Sequence, residues 1–472
     1  MKVLMFGWEF PPHISGGLGT ACHGLTLALQ KSHVQVLFVV PKLYGDEADG
    51  RLKLIDASSV PLSKKKSLAT TKTLRSGNYT NNSRRDEPEL QQSFGTYLKH
   101  INIPTALAPY HGPDQSWPHV KDLRSWNYRF YPPANESRVF VEQDTSAGKT
   151  GRETEEKNPF YPFSGNYGPN LMDEIHEYSD VAARISEKYS FDVIHAHDWM
   201  TFLAGIAAKK KTGKPLVVHV HSTEFDRSGE DINDLVYGIE KMGFTEADRI
   251  ITVSNWTKNI VNSRYKIPED KISVIHNGII PKERPQEFAF PEIGSHFVTF
   301  LGRVTHQKGP AFFVEAAELV LREFPEAHFI VAGAGDLLPH IIEKVAQLNM
   351  SASFHFTGFL SGDQVDRLWA LTDVYVMPSV SEPFGIAPLE AIQGGVPVIL
   401  SRQSGVVEVM PHAIKVDFWD TRAVAAAICS VLRYESLSHE LRQNSQRHLQ
   451  KLTWEKAAGG VKAIYHELTG KR

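Results

Sequence analysis

The chain has 472 residues, of which 42% are hydrophobic and 22% charged, and its formal net charge is -3. This length suits two or three domains at roughly 150 residues each, and the composition is that of a soluble globular protein. The charge balance offers no basic surface, so no nucleic-acid partner is expected. Only two cysteines occur, Cys22 and Cys429, which argues against a disulfide framework and favours buried thiols.

No stretch approaches the ~20 apolar residues that a membrane span requires. The apolar segment Met1–Trp8 is short and lacks the small-residue cleavage site of a signal peptide. It therefore predicts a first buried strand, and the cytoplasm is the expected compartment.

Short apolar runs alternate with helical patterns along the chain. In the first half the predicted strands are Val3–Phe6, Val34–Val40, Asp192–His197, Leu216–His221, Arg249–Val253 and Lys271–His276. In the second half they are Phe297–Leu301, His328–Gly333, Ser353–Thr357, Asp373–Met377, Pro397–Leu400 and Ala413–Val416. Helical patterns such as Gly17–Gln30 and Asp173–Tyr189 lie between them. Apolar strands separated by helices predict two doubly wound, Rossmann-like parallel-sheet domains of the α/β class.

Two breaks in this rhythm predict the domain organisation. The Pro- and charge-rich segment Pro281–Pro291 predicts a linker between an N-terminal domain of residues 1–282 and a C-terminal domain of residues 283–452. The polar and aromatic stretch from Tyr44 to Gly168 predicts a long insertion in the first domain, at about residues 44–168. Its aromatic residues either line a sugar-binding surface or anchor the insertion.

A glycine loop, Gly16-Gly17-Leu18-Gly19, follows the first predicted strand and opens a helix. Glycines let the backbone approach a ligand closely, and a helix N-terminus favours an anion. Taken alone, the pattern fits a structural turn equally well.

A second loop, Gly302–Gly309, follows the first strand of the second series and carries Arg303 and Lys308. Open α/β sheets bind ligands at the carboxyl ends of their strands, so two cations there could neutralise a diphosphate. Solvated charges are the alternative. The later Gly333-Ala334-Gly335-Asp336 lacks the third glycine of a dinucleotide fingerprint and does not predict a nicotinamide site.

The segment Ser381–Glu390 places two carboxylates, Glu382 and Glu390, on either side of a turn that contains Gly385. Pro388 suits the first turn of a helix, and the free amides before it suit a phosphate. Carboxylates accept hydrogen bonds from sugar hydroxyls. The segment therefore predicts a site that holds a sugar and a phosphate together.

Histidines occur in pairs at the ends of two predicted strands: His195 with His197, and His219 with His221. Residues two apart on a strand share a face, so each pair points to one side. Four imidazoles make a metal site conceivable. However, His195 and His219 are expected to be satisfied core residues, and only His197 and His221 are expected to reach a cleft.

Eight motifs occur in a fixed order along the chain: Gly16–Gly19, His195–Trp199, Val253–Lys258, Ile275–Ile279, Gly302–Gly309, Thr357–Phe359, Glu382–Glu390 and Ser404–Glu408. Together they resemble the retaining glycosyltransferases of the glycosyltransferase-B type. The pattern is similar both to glycogen and starch synthases and to the large group that contains sucrose-phosphate synthases and bacterial mannosyltransferases. The resemblance implies two facing Rossmann-like domains and a C-terminal helix, residues 453–472, that crosses back to the first.

The resemblance implies a role for each matching residue. The implied catalytic residues are His197, Arg303, Lys308 and Glu382. The implied donor-binding residues are Gly16, Gly17, Gly19, Asn277, Gly358, Phe384, Gly385, Ile386 and Glu390. Arginine and lysine would stabilise the diphosphate, so neither a metal nor a cofactor is expected. The leaving phosphate would act as the base, and the anomeric configuration would be retained.

The implied reaction moves a hexosyl group, most simply glucosyl, from UDP- or ADP-glucose to a carbohydrate acceptor, as in α-glucan extension by glycogen and starch synthases. The same chemistry on a small sugar, a sugar phosphate or a lipid-linked glycan is the alternative. A nucleotide-sugar epimerase and a non-catalytic sugar-binding relative are further alternatives. The contiguous Glu382–Glu390 segment disfavours the epimerase. A complete set of catalytic residues disfavours the binding protein.

Overall fold

The computed structural model describes residues 1–13, 16–47, 52–61, 160–281 and 296–470. Nearly all of them belong to one compact unit. The predicted linker after Pro281, the predicted boundary at residues 282 and 283, and most of the predicted insertion at 44–168 lie outside the described residues.

A seven-stranded parallel sheet forms the centre of the N-terminal half, in the order β3-β2-β1-β4-β5-β6-β7. Its strands are β1 (Lys2–Phe6), β2 (Gln35–Val40), β3 (Lys53–Asp56), β4 (Val193–His197), β5 (Leu216–Val220), β6 (Arg249–Thr252) and β7 (Ile272–Val274). The central strands β4 and β5 are buried along their whole length, as expected for a sheet that helices cover on both faces.

The helices of this half are α1 (Gly17–Lys31), α2 (Leu171–Lys188), α3 (Trp199–Thr212), α4 (Glu224–Ser228), α5 (Asp234–Glu246) and α6 (Asn255–Tyr265). Several begin at a capping side chain. The Thr223 hydroxyl accepts from Asp226 N at α4, and the Ser254 hydroxyl accepts from Thr257 N at α6. Such caps satisfy amides that have no partner within the helix.

A six-stranded parallel sheet forms the centre of the C-terminal half, in the order β10-β9-β8-β11-β12-β13. Its strands are β8 (His296–Leu301), β9 (Ala327–Ala332), β10 (Phe354–Gly358), β11 (Val374–Met377), β12 (Val398–Ser401) and β13 (Ile414–Val416). Its helices are α7 (Pro310–Leu321), α8 (Leu338–Gln347), α9 (Asp363–Leu371), α10 (Ala387–Gln393), α11 (Thr421–Arg433) and α12 (Glu435–Leu449).

Every strand that the apolar runs predict is present, so the α/β fold with two parallel sheets is confirmed. One strand, β3, was not predicted and falls within the stretch assigned to the insertion. It pairs in parallel with β2 at the sheet edge. Only Ile55 of its residues is buried, so no apolar run marks it in the sequence.

The last helix, α13 (Trp454–Thr469), lies against α1 and adds Trp454, Val461 and Tyr465 to the core of the first sheet. Gly24 on α1 makes room for it, because a Cβ there would lie 2.3 Å from Trp454 Nε1. Gly278 also makes room for this helix, because a Cβ there would lie 2.3 Å from Trp454 N. The end of the chain therefore belongs structurally to the N-terminal half.

A stack of imidazoles lies on one face of β4 and β5. The rings of His195 and His197 are 4.4 Å apart with an interplanar angle of 13°, and those of His219 and His221 are 4.4 Å apart at 21°. His195 bonds the Tyr465 hydroxyl through Nδ1. Neither ring nitrogen of His219 has a hydrogen-bond partner among the described residues. The expectation of a satisfied core histidine is therefore wrong for His219.

These buried imidazoles predict that acid destabilises the protein. Burial, reinforced by neighbouring imidazoles, lowers the pKa of His195, His197 and His219. The unfolded chain therefore takes up their protons first as the pH falls through about 6.5. Stability is complete above that pH and falls below it, by about 1.4 kcal/mol for each histidine and pH unit. We expect a lower thermal unfolding midpoint at about pH 5.5 than at about pH 7.5.

His219→Leu tests the origin of this effect, because it removes one titrating group and fills its space. The midpoint of this variant should fall less steeply with decreasing pH than that of the wild type. His340→Gln, at an exposed position on α8, is the matched control. Parallel curves for His219→Leu and the wild type would contradict the assignment.

Candidate active site

In each sheet the strand order reverses between two neighbouring strands: β1 and β4 in the first, β8 and β11 in the second. Open parallel sheets bind ligands in the crevice outside the carboxyl ends at such a point. The glycine loop follows β1, and His197 ends β4. Arg303 and Lys308 follow β8, and Glu382 follows β11. The predicted residues thus flank both crevices.

The glycine loop faces the C-terminal half directly. A Cβ on Gly16 would lie 3.9 Å from Arg303 Nη2, and one on Gly17 would lie 3.9 Å from Ile386 Cδ1. Because α1 begins at Gly17, the first-turn amides of a 15-residue helix also lie at this loop. The structure therefore brings four predicted site residues from three distant parts of the sequence together.

The third predicted glycine, Gly19, has a protein partner for its amide. Gly19 N donates to Glu9 Oε1 at 3.0 Å, and the Tyr167 hydroxyl donates to Glu9 Oε2 at 3.0 Å. Glu9 is buried, and a carboxylate is stabilising at a helix N-terminus. Glu9 thus holds the loop in shape. Sequence reasoning missed it, because it stands alone in an apolar stretch.

Lys308 and Glu382 form an ion pair across the second crevice. Lys308 Nζ lies 2.5 Å from Glu382 Oε2, and the Ser379 hydroxyl donates to the same oxygen at 3.3 Å. The Glu382 side chain is only 8% exposed, so the loss of either partner would leave a poorly solvated charge. Two residues that the sequence predicts to be catalytic are therefore in direct contact.

The segment around Glu382, which we call the donor loop (residues 379–386), is tied to its own half by backbone hydrogen bonds. Glu382 N donates to Gln403 O at 2.9 Å, Gly405 N donates to Glu382 O at 2.9 Å, and Val406 N donates to Phe384 O at 2.9 Å. The Ser404–Glu408 motif therefore serves as the support for the Glu382–Glu390 motif.

Gly385 allows the sharp turn of the donor loop. Its φ is 97°, a conformation that favours glycine, and a Cβ would lie 3.3 Å from Glu382 Cγ. Pro388 lies in the first turn of α10, as predicted. Burial raises the pKa of the Tyr375 phenol, and the charges of Glu382 and Glu390 raise it further. Both predicted carboxylates therefore lie close enough to the same buried phenol to raise its pKa.

Close backbone packing shapes the first loop of the C-terminal half. A Cβ on Gly333 would lie 1.9 Å from Gly302 O, and one on Gly335 would lie 2.4 Å from Val304 O. Gly333 N also donates to Gly358 O at 2.8 Å. The predicted donor-binding residue Gly358 is thus connected to this loop, and close packing accounts for the Gly-Ala-Gly pattern.

Three motifs meet at Glu408. Its Oε2 accepts from Asn255 N at 3.0 Å and from His276 Nε2 at 2.9 Å. Its Oε1 accepts from Trp256 N at 2.9 Å. Burial raises the pKa of Glu408, but hydrogen bonds from His276, Asn255 and Trp256 outweigh it, so the pKa is lowered. Glu408 comes from the C-terminal half and its partners from the N-terminal half, so this carboxylate joins the two.

Besides Gly19, the predicted donor-binding residues Asn277 and Phe384 are buried. Asn277 lies next to Gly278, at the point where α13 begins to cross the first sheet. The Phe384 ring belongs to an apolar cluster with Val253 and Leu389. The Phe384 side chain therefore serves packing, and its backbone is the part that a ligand could contact.

His197 is also enclosed, at 0% exposure. Its Nδ1 lies 2.9 Å from His221 Nε2, and its carbonyl accepts from the Thr201 hydroxyl at 2.7 Å. The next residue, Asp198, has a φ of 58°, and burial raises its pKa to about 7. The chain thus turns sharply at the end of β4, and the His197 ring lies inside the histidine stack rather than on an open wall.

Among the described residues, three groups of side chains bring potential metal-ligand atoms within 4.8 Å of one another. One of them, His13 with Asp46 and Glu47, is largely exposed. The other two lie in the histidine stack: Cys22 with His197 and His221, and His195 with His197 and His219. An imidazole binds a metal through the lone pair in its ring plane, whereas these rings lie face to face. An ion between them would meet the ring faces. The stack is therefore better described as aromatic packing than as a ligand set.

Models of known families match the chain in three segments. Residues 283–448 match "Glycosyl transferases group 1", residues 136–283 match "Glycosyltransferase Family 4", and residues 2–100 match "Starch synthase catalytic domain". The two longer matches meet at the predicted domain boundary.

Two curated relatives are similar to the chain over comparable lengths. An uncharacterized glycosyltransferase of Methanocaldococcus jannaschii is 33% identical over 294 residues, which are 58% of this chain and 75% of the relative. A glycogen synthase of Mycobacterium tuberculosis is 27% identical over 289 residues, 60% of this chain and 69% of the relative.

Two solved structures share the fold. Sucrose-phosphate synthase from Thermosynechococcus elongatus matches with a TM-score of 0.67 at 17% identity, over 100% of both chains. HepE of Anabaena, in complex with UDP-glucose, matches with a TM-score of 0.53 at 18% identity, over 61% of this chain and 82% of that one.

Among the described residues, no helix combines the length and apolar character needed to cross a membrane. The family models, the relative at 33% identity and the two parallel sheets agree on one assignment. The chain belongs to the glycosyltransferases with the glycosyltransferase-B fold.

Proposed function

We propose that the protein is a retaining glycosyltransferase that moves a glucosyl group from a nucleotide sugar to an α-glucan acceptor. The observation that supports this most is the Lys308–Glu382 ion pair, which lies on the same crevice as Arg303 and the facing Gly16. Such an arrangement offers a carboxylate for sugar hydroxyls, cations for a diphosphate and backbone amides on the opposite wall.

The proposed reaction breaks the bond between the anomeric carbon and the diphosphate oxygen, which leaves with the electron pair. Arg303 and Lys308 stabilise the negative charge that develops there, a contribution of the kind that dominates many enzymes. The acceptor hydroxyl forms the new bond on the same face, and its proton passes to the leaving phosphate. Retention of configuration follows, and no metal or cofactor is needed.

The remaining proposed roles are those that the family resemblance implies. Glu382 accepts from the donor sugar's hydroxyls, and Glu390 holds the ribose. The backbone at Gly16, Gly17 and Gly385 approaches the diphosphate and the sugar. Because the His197 ring is enclosed, a contact with the reacting carbon requires either its backbone or a local opening of the histidine stack.

The glucan acceptor has two lines of support: the match of residues 2–100 to the starch synthase catalytic domain and the glycogen synthase relative. The UDP-glucose donor is supported by HepE, a structural neighbour that holds this compound. A panel of UDP-, ADP- and GDP-glucose, each tested with glycogen, maltose, glucose 6-phosphate and water, tests both choices. Release of nucleoside diphosphate only with glycogen or maltose is expected. No donor consumption with any acceptor would refute the proposal.

Glu382→Gln removes the charge of the candidate sugar-binding carboxylate and keeps its size. We expect kcat/KM for the nucleotide sugar to fall by at least about 100-fold, as for loss of a preorganised transition-state contact. The exposed Glu440→Gln on α12 is the control. Thermal unfolding should show that both variants fold, and wild-type turnover in Glu382→Gln would exclude the assigned role.

Arg303→Ala and Lys308→Ala each remove one candidate diphosphate ligand. The dissociation constant for the free nucleoside diphosphate should rise by about 10- to 100-fold in each, the range for one hydrogen bond to a charged group. Calorimetric titration measures it, and Arg322→Ala, at the C-terminal cap of α7 in an exposed i,i+4 pair with Glu318, is the control. Unchanged affinity would show that these side chains do not bind the diphosphate.

A further inference from the structure

Ser381 stands immediately before Glu382, and its side chain is held entirely by the opposite half of the protein. The Ser381 hydroxyl donates to Asp226 Oδ1 at 2.6 Å, and Trp256 Nε1 donates to Ser381 Oγ at 3.1 Å. Asp226 lies on α4 and Trp256 on α6, both in the N-terminal half. One serine of the donor loop therefore bridges two helices of the facing half.

The residue after Glu382 is held in the same way. The Ser254 hydroxyl donates to Pro383 O at 2.5 Å, and the Thr257 hydroxyl donates to it at 3.3 Å. Gly405 permits this approach, because a Cβ there would lie 2.2 Å from Pro383 O and 2.4 Å from Ser254 Cβ. Both neighbours of Glu382 are thus bonded to the N-terminal half.

The Asp226 side chain is also held by Thr223, independently of its bond to Ser381. Its Oδ2 accepts from Thr223 N at 2.8 Å and from the Thr223 hydroxyl at 2.7 Å, while Thr223 Oγ1 accepts from Asp226 N at 3.3 Å. This capping box leaves Oδ1 to receive Ser381, and Asp226 is only 2% exposed. Helix α4 also contacts the turn His306–Lys308, which supplies the partner of Glu382.

The bonds from the N-terminal half exist only while the two halves face each other, whereas the bonds from Gln403 and Gly405 stay within the C-terminal half. We propose that Asp226 and Trp256 are positioning residues for Glu382, which act through Ser381 and couple approach of the two halves to the geometry of the donor loop. This inference rests on the proposed function, in which Glu382 binds the donor sugar. It predicts that the nucleotide binds without these contacts but that transfer depends on them.

Ser381→Ala removes the bridge without disturbing the Thr223–Asp226 box. We expect kcat to fall about tenfold, the effect of losing one hydrogen bond to a charged group. The dissociation constant of the nucleoside diphosphate should stay within about twofold, because Arg303 and Lys308 remain in place. Ser186→Ala, which removes a buried hydroxyl bonded within α2, is the matched control and should retain wild-type kcat.

A double-mutant cycle shows whether Asp226 acts through Ser381. Asp226→Asn keeps an oxygen for Thr223 but can present an amide to Ser381. Its effect on kcat should not add to that of Ser381→Ala, since both abolish the hydrogen bond that the hydroxyl donates to a charged carboxylate. Fully additive losses would mean that Asp226 affects transfer by another route and would overturn the proposal.

Hydrogen–deuterium exchange of peptides that cover residues 379–385 provides a readout that does not depend on activity. Exchange there should be faster in Ser381→Ala and Asp226→Asn than in the wild type and Ser186→Ala. Unchanged exchange would refute the positioning role even if the wild type transfers sugar. If exchange responds but no donor is consumed, the proposed function fails while the structural coupling stands.

Discussion

The parallel arrangement of both sheets is the constraint on which the site depends. Parallel strands deliver all their carboxyl ends to one edge, and the loops at those edges are where side chains can converge without disturbing the core. Here the two edges face each other, so that Gly16 from the first sheet lies beside Arg303 from the second. A donor could contact the glycine loop and the cations together only because of this opposition, since neither crevice carries both.

Electrostatics explains why the cations and the carboxylate occupy one crevice. An amine and a carboxylate that are largely removed from water are tolerated when they neutralise each other, and the Lys308–Glu382 pair does so in the structure described. On the proposed function, a diphosphate would take over the positive charge and free the carboxylate for sugar hydroxyls. The pair would thus keep the site in a shape close to the one that binds the donor.

Buried polar groups without partners are rare, and among the described residues four imidazole nitrogens of this kind lie next to the crevice of the first sheet. His195 and His197 leave one ring nitrogen each without a described partner, and His219 leaves both. Burying such groups costs free energy unless another constraint requires them. Local departures from good packing rules are common near functional sites. His197 belongs to this stack, and the chain turns at Asp198 directly after it. The stack therefore fixes the backbone at the end of β4, beside the crevice.

The sequence by itself determined every described strand except β3, the class of fold, the family and the loops that carry Arg303, Lys308 and Glu382, because apolar periodicity and turn chemistry are local properties of the chain. Only the tertiary structure decided which residues meet. Glu9 beneath the glycine loop belongs to no local pattern. Glu408 at α6 and Ser381 between Asp226 and Trp256 lie in recognised segments, but those segments do not indicate their partners, which lie up to 158 positions away. The enclosed position of His197 likewise depends on how two strands and α13 pack, which no short stretch of sequence encodes.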